Sequence, residues 1–296
     1  TVVDTLTTGK NGTAESKALY LGKFKIREVT APAGMVASKE IHEVELTYAG
    51  QEVQVTETAA SISNERQKVA VMLEKSLEQN ELFGIGMNSE ITAVTFGLYA
   101  AENVTAADGT VIPADGLIEI ISINENGQGT VSTDLPHGSY YLKEQSTDNH
   151  CVLSDEKYPI VFENAGQDTA LVEIKANDGS AIENHLIYGS IHGLKKDDDG
   201  NALAGAVMGL FRTNETEFTA DNALMTDTSD EDGIFRFDGV LYGNWLVREI
   251  ESPTGFVLST ISYPVEIVED GAEIEVEVEN TRIRGTVQLT KVDEDY

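Results

Sequence analysis

Three short patterns recur along the chain in a fixed order, and their spacing constrains the fold more than any other feature. The first is Gly, any residue, two apolar positions alternating with others, then Glu. It reads Gly22-Lys23-Phe24-Lys25-Ile26-Arg27-Glu28, Gly138-Ser139-Tyr140-Tyr141-Leu142-Lys143-Glu144 and Gly243-Asn244-Trp245-Leu246-Val247-Arg248-Glu249. Side chains alternate along a strand with period two, so each Glu shares a face with the two apolar residues before it. A carboxylate in register with core residues is an anomaly. The second pattern is an apolar residue, one more, then Asn: Ile62-Ser63-Asn64, Ile182-Glu183-Asn184 and Val278-Glu279-Asn280. The third is an alternating run ending in Lys: Val71 to Lys75, Ile191 to Lys195 and Val287 to Lys291. From each Asn to the following Lys the step is eleven residues in all three copies, which selects Lys195 over its neighbour Lys196. Self-similarity of this kind marks a tandem repeat. The predicted organisation is the C-terminal part of one repeat over 1–67, complete repeats over 68–187 and 188–283, and the first strand of another over 284–296.

Local signals are almost all β. Lys68 to Lys75, Tyr140 to Lys143, Ile274 to Val278 and Thr286 to Val292 alternate apolar and polar between Gly, Asn and Asp clusters. The best helix signal is a short turn near Thr219 to Leu224, with Thr219 as a candidate cap. The chain has 296 residues, 41% of them hydrophobic, enough for two or three packed units. Its net charge of −31 excludes nucleic acid and anionic membrane as partners. The acids are spread along the whole chain and read as a solvated surface. The lone Cys151 allows no internal disulfide and reads as a small buried hydrophobe. No apolar run is long enough to span a membrane, and no signal peptide or sorting signal is visible, so an internal fragment of a secreted protein is expected.

Together these patterns resemble the Cna B-type (prealbumin-like) domain of Gram-positive pilins and adhesins. The family's second strand is similar to Val94-Thr95-Phe96-Gly97-Leu98-Tyr99 and to Val207-Met208-Gly209-Leu210-Phe211. Its Leu-Pro-x-Gly turn is matched by Leu135-Pro136-His137-Gly138, and its Ala-Pro-x-Gly-Tyr loop by Ala31-Pro32-Ala33-Gly34-Met35 and Ser252-Pro253-Thr254-Gly255-Phe256. The middle repeat departs there, with Asp148-Asn149-His150-Cys151. The resemblance implies an all-β chain of tandem Greek-key β-sandwiches, end to end.

It also implies a self-formed isopeptide bond between Lys and Asn, helped by the Glu. One triad is then Lys75, Glu144 and Asn184, and a second is Lys195, Glu249 and Asn280. Glu28 and Asn64 belong to the repeat at the start, and Lys291 to the one beyond the end. The residue types suit the chemistry: burial lowers a Lys pKa and frees its lone pair, and a carboxyl can polarise the Asn carbonyl and move a proton to the leaving ammonia. The reaction occurs once per domain on the protein itself, so no enzyme is expected.

Other motifs carry less. Asp197-Asp198-Asp199-Gly200 and Asp230-Glu231-Asp232-Gly233 resemble calcium loops but lack the full ligand series, and both read as turns. His137, His150, His185 and His192 show no metal-ligand spacing. No metal or other cofactor is expected. Two functions compete. In the first, the chain is a stalk or pilin shaft of a cell-wall-anchored, extracellular protein, and its partners are neighbouring domains or other pilin subunits. A tie between first and last strands loads the bond when the ends are pulled, and stabilises each unit by about 4–5 kcal/mol, as a disulfide closing a loop of about 100 residues does. In the second, the chain is an adhesin module gripping a host glycan or matrix protein through the long stretches Gln79 to Ala93 and Ala100 to Leu117, where Phe83 is the aromatic residue that stands out. Finally, the spare strand near Lys291 is expected to pair with the open half-repeat of another molecule.

Overall fold

Alternation turns into strand wherever a second sheet covers the apolar face. The structure, a computed structural model, describes residues 1–106 and 108–292. Strands β1 (Gly22–Arg27), β2 (Met35–Val36), β3 (Ile41–Leu46) and β4 (Glu65–Arg66) come first. β1 pairs antiparallel with β3, setting Phe24 opposite Val44, and β2 pairs with β4. The outward Lys25 faces Glu43 across that ladder at 3.0 Å. Among the described residues this two-stranded sheet gains no third strand.

The middle of the chain is a sandwich. Its strands are β5 (Lys68–Leu77), β6 (Thr95–Ala100), β7 (Val104–Thr105), β8 (Val111–Ile112), β9 (Leu117–Ser122), β10 (Gln128–Thr130), β11 (Gly138–Ser146), β12 (Lys157–Phe162), β13 (Leu171–Lys175) and β14 (Ile182–Asn184). β5 lies between antiparallel β10 and parallel β13, and β14 extends the parallel pairing towards its C-terminal end. The facing sheet runs β12-β11-β6-β9, all antiparallel. Val71, Leu73, Phe96, Leu98, Leu142, Ile160 and Ile182 fill the space between.

A second sandwich follows: β15 (Tyr188–Asp197), β16 (Val207–Arg212), β17 (Met225–Thr228), β18 (Ile234–Leu241), β19 (Gly243–Glu251), β20 (Ser262–Ile267) and β21 (Ala272–Asn280). Its sheets are β18-β15-β21 and β17-β16-β19-β20. The opening strand β15 and the closing strand β21 are parallel neighbours, as β5 and β14 are. The two cores solve one packing problem in opposite ways. Leu73 of β5 faces Gly129 of β10, whereas Gly193 of β15 faces Phe235 of β18. A Cβ on Gly193 would come within 1.9 Å of the Phe235 ring, so bulk has moved from one strand of the pair to the other.

Three expectations change. Thr286 to Val292 forms no strand, and Val287 and Leu289 are 97% and 90% exposed. The pattern is that of a strand, but a strand needs a partner edge for its N–H and C=O groups. Near Thr219 there is a turn in which the backbone carbonyl of Thr219 accepts the N–H groups of Asn222 and Ala223, with no helix for the side chain to cap. The long stretch after β5 is a buttress. It carries Phe83 onto the next sandwich, where its ring meets Trp245 edge-on at 4.9 Å and joins the core with Cys151 and Leu186. Leu77 borders both cores. The stretch after β6 folds into the β7–β8 hairpin and places Val104 in the first core.

Candidate functional site

Period two on the opening strands carries Val71, Leu73 and Lys75 to one buried face of β5, and Ile191, Gly193 and Lys195 to that of β15. Lys75 is 4% exposed and Lys195 fully buried. The parallel partners repeat the same register. Lys75 is opposite Ile182 and Lys195 opposite Val278, with Asn184 and Asn280 two residues further on. The glutamates arrive from the other sheet. Glu144 follows Tyr140 and Leu142 on the inner face of β11, and Glu249 follows Trp245 and Val247 on β19. Three strands from two sheets thus bring one Lys, one Glu and one Asn together inside each sandwich.

In the second sandwich the three side chains are in contact. Lys195 Nζ donates to Asn280 Oδ1. It lies 3.6 Å from Glu249 Oε1, with neither side chain exposed. Asn280 Nδ2 donates to Glu249 Oε1 at 2.8 Å and Oε2 at 2.9 Å, so the Glu meets the amide nitrogen and not, as expected, the carbonyl. In the first sandwich Asn184 Nδ2 donates to Glu144 Oε2 at 2.8 Å. Lys75 is turned aside there, donating to the carbonyls of Ser76 at 2.7 Å and Ile182 at 2.9 Å. Among the described residues, Glu144 Oε1 and Asn184 Oδ1 are buried without a hydrogen-bond partner. Those two atoms correspond to the ones Lys195 approaches in the second sandwich. Burial pushes the Lys75 amine down to about 8, against the opposing pull of Glu144. Burial likewise lowers Lys195, opposed by Glu249.

The N-terminal copy holds the other two groups. Asn64 Nδ2 donates to Glu28 Oε2 at 2.6 Å and to the Val36 carbonyl at 2.9 Å. Among the described residues no Lys pairs with Glu28. Lys291 is exposed and outside any strand.

Two further sets of groups surround these sites. The backbone N–H of Ser38, Ser154 or Ser259 donates to Oε2 of Glu28, Glu144 or Glu249 at 2.7, 2.9 and 2.7 Å. The step from Glu to Ser is ten residues in every copy, so the repeat alignment held the signal. Thr147 and Ser252, each three residues after its Glu, offer hydroxyls to the Asn amides. Elsewhere, Asp197 Oδ1 accepts the N–H groups of Asp199 and Asn201, which makes that segment a turn. Arg282 lies across Asp197, Asp198 and Asp199 together. In the second acidic segment Asp230 Oδ1 accepts from Asp232 and Ile234 in the same way.

The sequence pattern of the SpaA prealbumin-like fold domain matches residues 1–59 and 189–282, just over half of the chain. No curated protein matches the chain in sequence. Among solved structures, the TIE protein of Bacillus anthracis is similar with a TM-score of 0.69 and 22% identity, over 94% of this chain and 45% of that one. A C-terminal fragment of the pilus adhesin SpaC from Lactobacillus rhamnosus GG has a TM-score of 0.49 and 12% identity, over 75% of this chain and 100% of that one. BcpA, the major pilin subunit of Bacillus cereus, has a TM-score of 0.41 and 16% identity, over 93% of each chain. The chain therefore spans less than half the length of the Bacillus anthracis protein.

Proposed function

The chain belongs to the SpaA prealbumin-like fold domain family, and on that premise we propose that it is a shaft segment of a Gram-positive cell-wall surface protein or pilin, each complete sandwich closed by a Lys–Asn isopeptide bond. The proposed division is 1–67, 68–187, 188–283 and 284–296. The observation that carries the reading is the buried meeting of Lys195, Glu249 and Asn280, with the same backbone register at Lys75, Glu144 and Asn184. A buried ion pair alone is a poor explanation, since desolvating each charge costs several kcal/mol. A neutral amide removes that cost.

The bond forms as follows. The neutral Lys amine attacks Cγ of Asn, and a C–N bond forms. One amine proton passes through the Glu carboxyl to Nδ2. The Cγ–Nδ2 bond then breaks and ammonia leaves, with no oxidant or cofactor consumed. Glu144 and Glu249 are the proton shuttles; Glu28 and Asn64 repeat the Glu–Asn half of the same arrangement. The chain acts on no substrate but itself. Neighbouring domains, and pilin subunits or a host ligand beyond them, are its proposed partners. Among the described residues no helix is long and apolar enough to cross a membrane. The loop that an adhesin would use is committed elsewhere: Phe83 is buried against Trp245, which favours a stiff shaft over a gripping surface.

Intact mass spectrometry of the folded chain tests this directly. The wild type is expected to be lighter than its sequence mass by two ammonias. Glu144→Ala restores one and Glu249→Ala the other. A wild-type mass equal to the sequence mass removes the covalent mechanism and leaves only the sandwiches.

A further inference from the structure

In both buried sites the Asn amide has a second acceptor besides the Glu, and each time it is the hydroxyl three residues after that Glu. Asn184 Nδ2 donates to Thr147 Oγ1 at 2.8 Å. Asn280 Nδ2 donates to Ser252 Oγ at 2.8 Å. A primary amide has a donor end and an acceptor end of nearly the same shape. Its terminal torsion is broad and roughly two-fold, so its surroundings decide which end faces where. A carboxylate and a hydroxyl oxygen on one side select the nitrogen. The carbonyl is then turned the other way. Asn280 Oδ1 receives Lys195 there, and Asn184 Oδ1 is buried with no partner among the described residues.

We propose that Thr147 and Ser252 are positioning residues for isopeptide formation, holding the leaving nitrogen against the Glu so that the Lys meets the carbonyl. The inference rests on the bond-forming reading above. Attack at Cγ gives a tetrahedral centre carrying both nitrogens. The Asn nitrogen leaves as ammonia only after taking a proton, which the Glu carboxyl delivers to the atom it already touches. A flipped amide would set Oδ1 against that carboxyl and place the leaving nitrogen beside the incoming amine.

The two sites depend on the hydroxyl to different degrees. Asn280 Nδ2 also donates to the Val257 carbonyl at 3.1 Å. Among the described residues Asn184 Nδ2 donates to Glu144 and Thr147 alone. In the N-terminal copy the equivalent residue is Ala31, and Asn64 uses the Val36 carbonyl instead. The Thr147 hydroxyl therefore carries more of its site than the Ser252 hydroxyl does.

The test follows ammonia loss in the freshly refolded full chain by intact mass, with each bond assigned from cross-linked tryptic peptides. Thr147→Val is expected to slow the Lys75–Asn184 bond on the order of tenfold or more, leaving Lys195–Asn280 at the wild-type rate. Thr147→Ser restores the rate. Ser252→Ala slows its own bond less. Thermal melts of Glu144→Gln with and without Thr147→Val, neither forming the bond, are expected to coincide. A wild-type rate in Thr147→Val overturns the proposal. So does a large drop in melting temperature on the Glu144→Gln background, which assigns the hydroxyl to folding alone. If the wild type itself loses no ammonia, the bond-forming reading fails first and this one falls with it.

Discussion

Replacing Lys195 and Glu249 together by Met separates a cross-linked sandwich from its nearest rival. In the rival, the two residues are a buried ion pair, 3.6 Å apart and unexposed. Exchanging both members of such a pair for apolar side chains is often neutral or stabilising, by about 1–4 kcal/mol. In the cross-linked sandwich the same exchange removes a tie between positions 85 residues apart. Chain entropy puts the loss at about 4–5 kcal/mol, because the unfolded state regains the freedom that the tie removed. For a domain of roughly 100 residues that lowers the melting temperature by about 20–35 °C. Asn280 keeps Ser252 and Val257 as acceptors in either case, so the two accounts differ in sign and not only in size. Calorimetry of the full chain reads the answer, with the affected transition assigned by limited proteolysis. A melting temperature that is unchanged or raised refutes the cross-link in this sandwich.

Four more outcomes are expected. The folded state favours a neutral Lys75 amine from about pH 8 upward, and the unfolded chain only above about 10.5; the unfolded chain binds more protons in that window, so an unbonded variant such as Asn184→Ala gains stability as pH rises across it. Formation of the Lys75–Asn184 bond accelerates over the same rise, and a rate independent of pH around 8, followed by mass, counts against the amine as nucleophile. Phe83→Ala empties the seat beside Trp245 and costs on the order of 3 kcal/mol of contact between the sandwiches; new protease cuts within 79–93, with both ammonias still lost, check it. Gly193→Ala drives a Cβ into Phe235 and destabilises the second sandwich by about 1–3 kcal/mol, with the first unmoved in the calorimeter.

What was legible in the sequence was whatever broke period two. Glu144 and Glu249 stood out because they share a face with Tyr140, Leu142, Trp245 and Val247. Lys195 was fixed by the eleven-residue step, not by its type. Thr147 and Ser252 broke nothing, because a hydroxyl after a strand is ordinary turn chemistry. Ser38, Ser154 and Ser259 recur ten residues after each Glu, so the repeat alignment marks the positions, but not that the backbone N–H is the donor. The rotamer that turns Lys75 towards Ser76 and Ile182 depends on packing that no spacing encodes. Phe83 misled for a related reason: an aromatic residue in a long loop says that a surface will be covered, but not that the next sandwich covers it. The alternating Val287 to Lys291 pattern predicts a strand, yet none forms there, because pairing belongs to two segments and not to one.

The transfer of bulk between facing strands bears on how such a chain sorts itself while folding. Adjacent repeats of similar sequence are prone to trade strands and misassemble. Here a traded strand meets the wrong complement. β5 laid beside β18 would set Leu73 on Phe235, where even a Cβ is too close. β15 laid beside β10 would set Gly193 against Gly129 and leave a void. Under the proposed chemistry the Lys reaches its Asn only when the opening strand is seated in its own sandwich. The irreversible step then acts as a proofreader, sealing chains whose strands have sorted correctly and leaving the others free to try again.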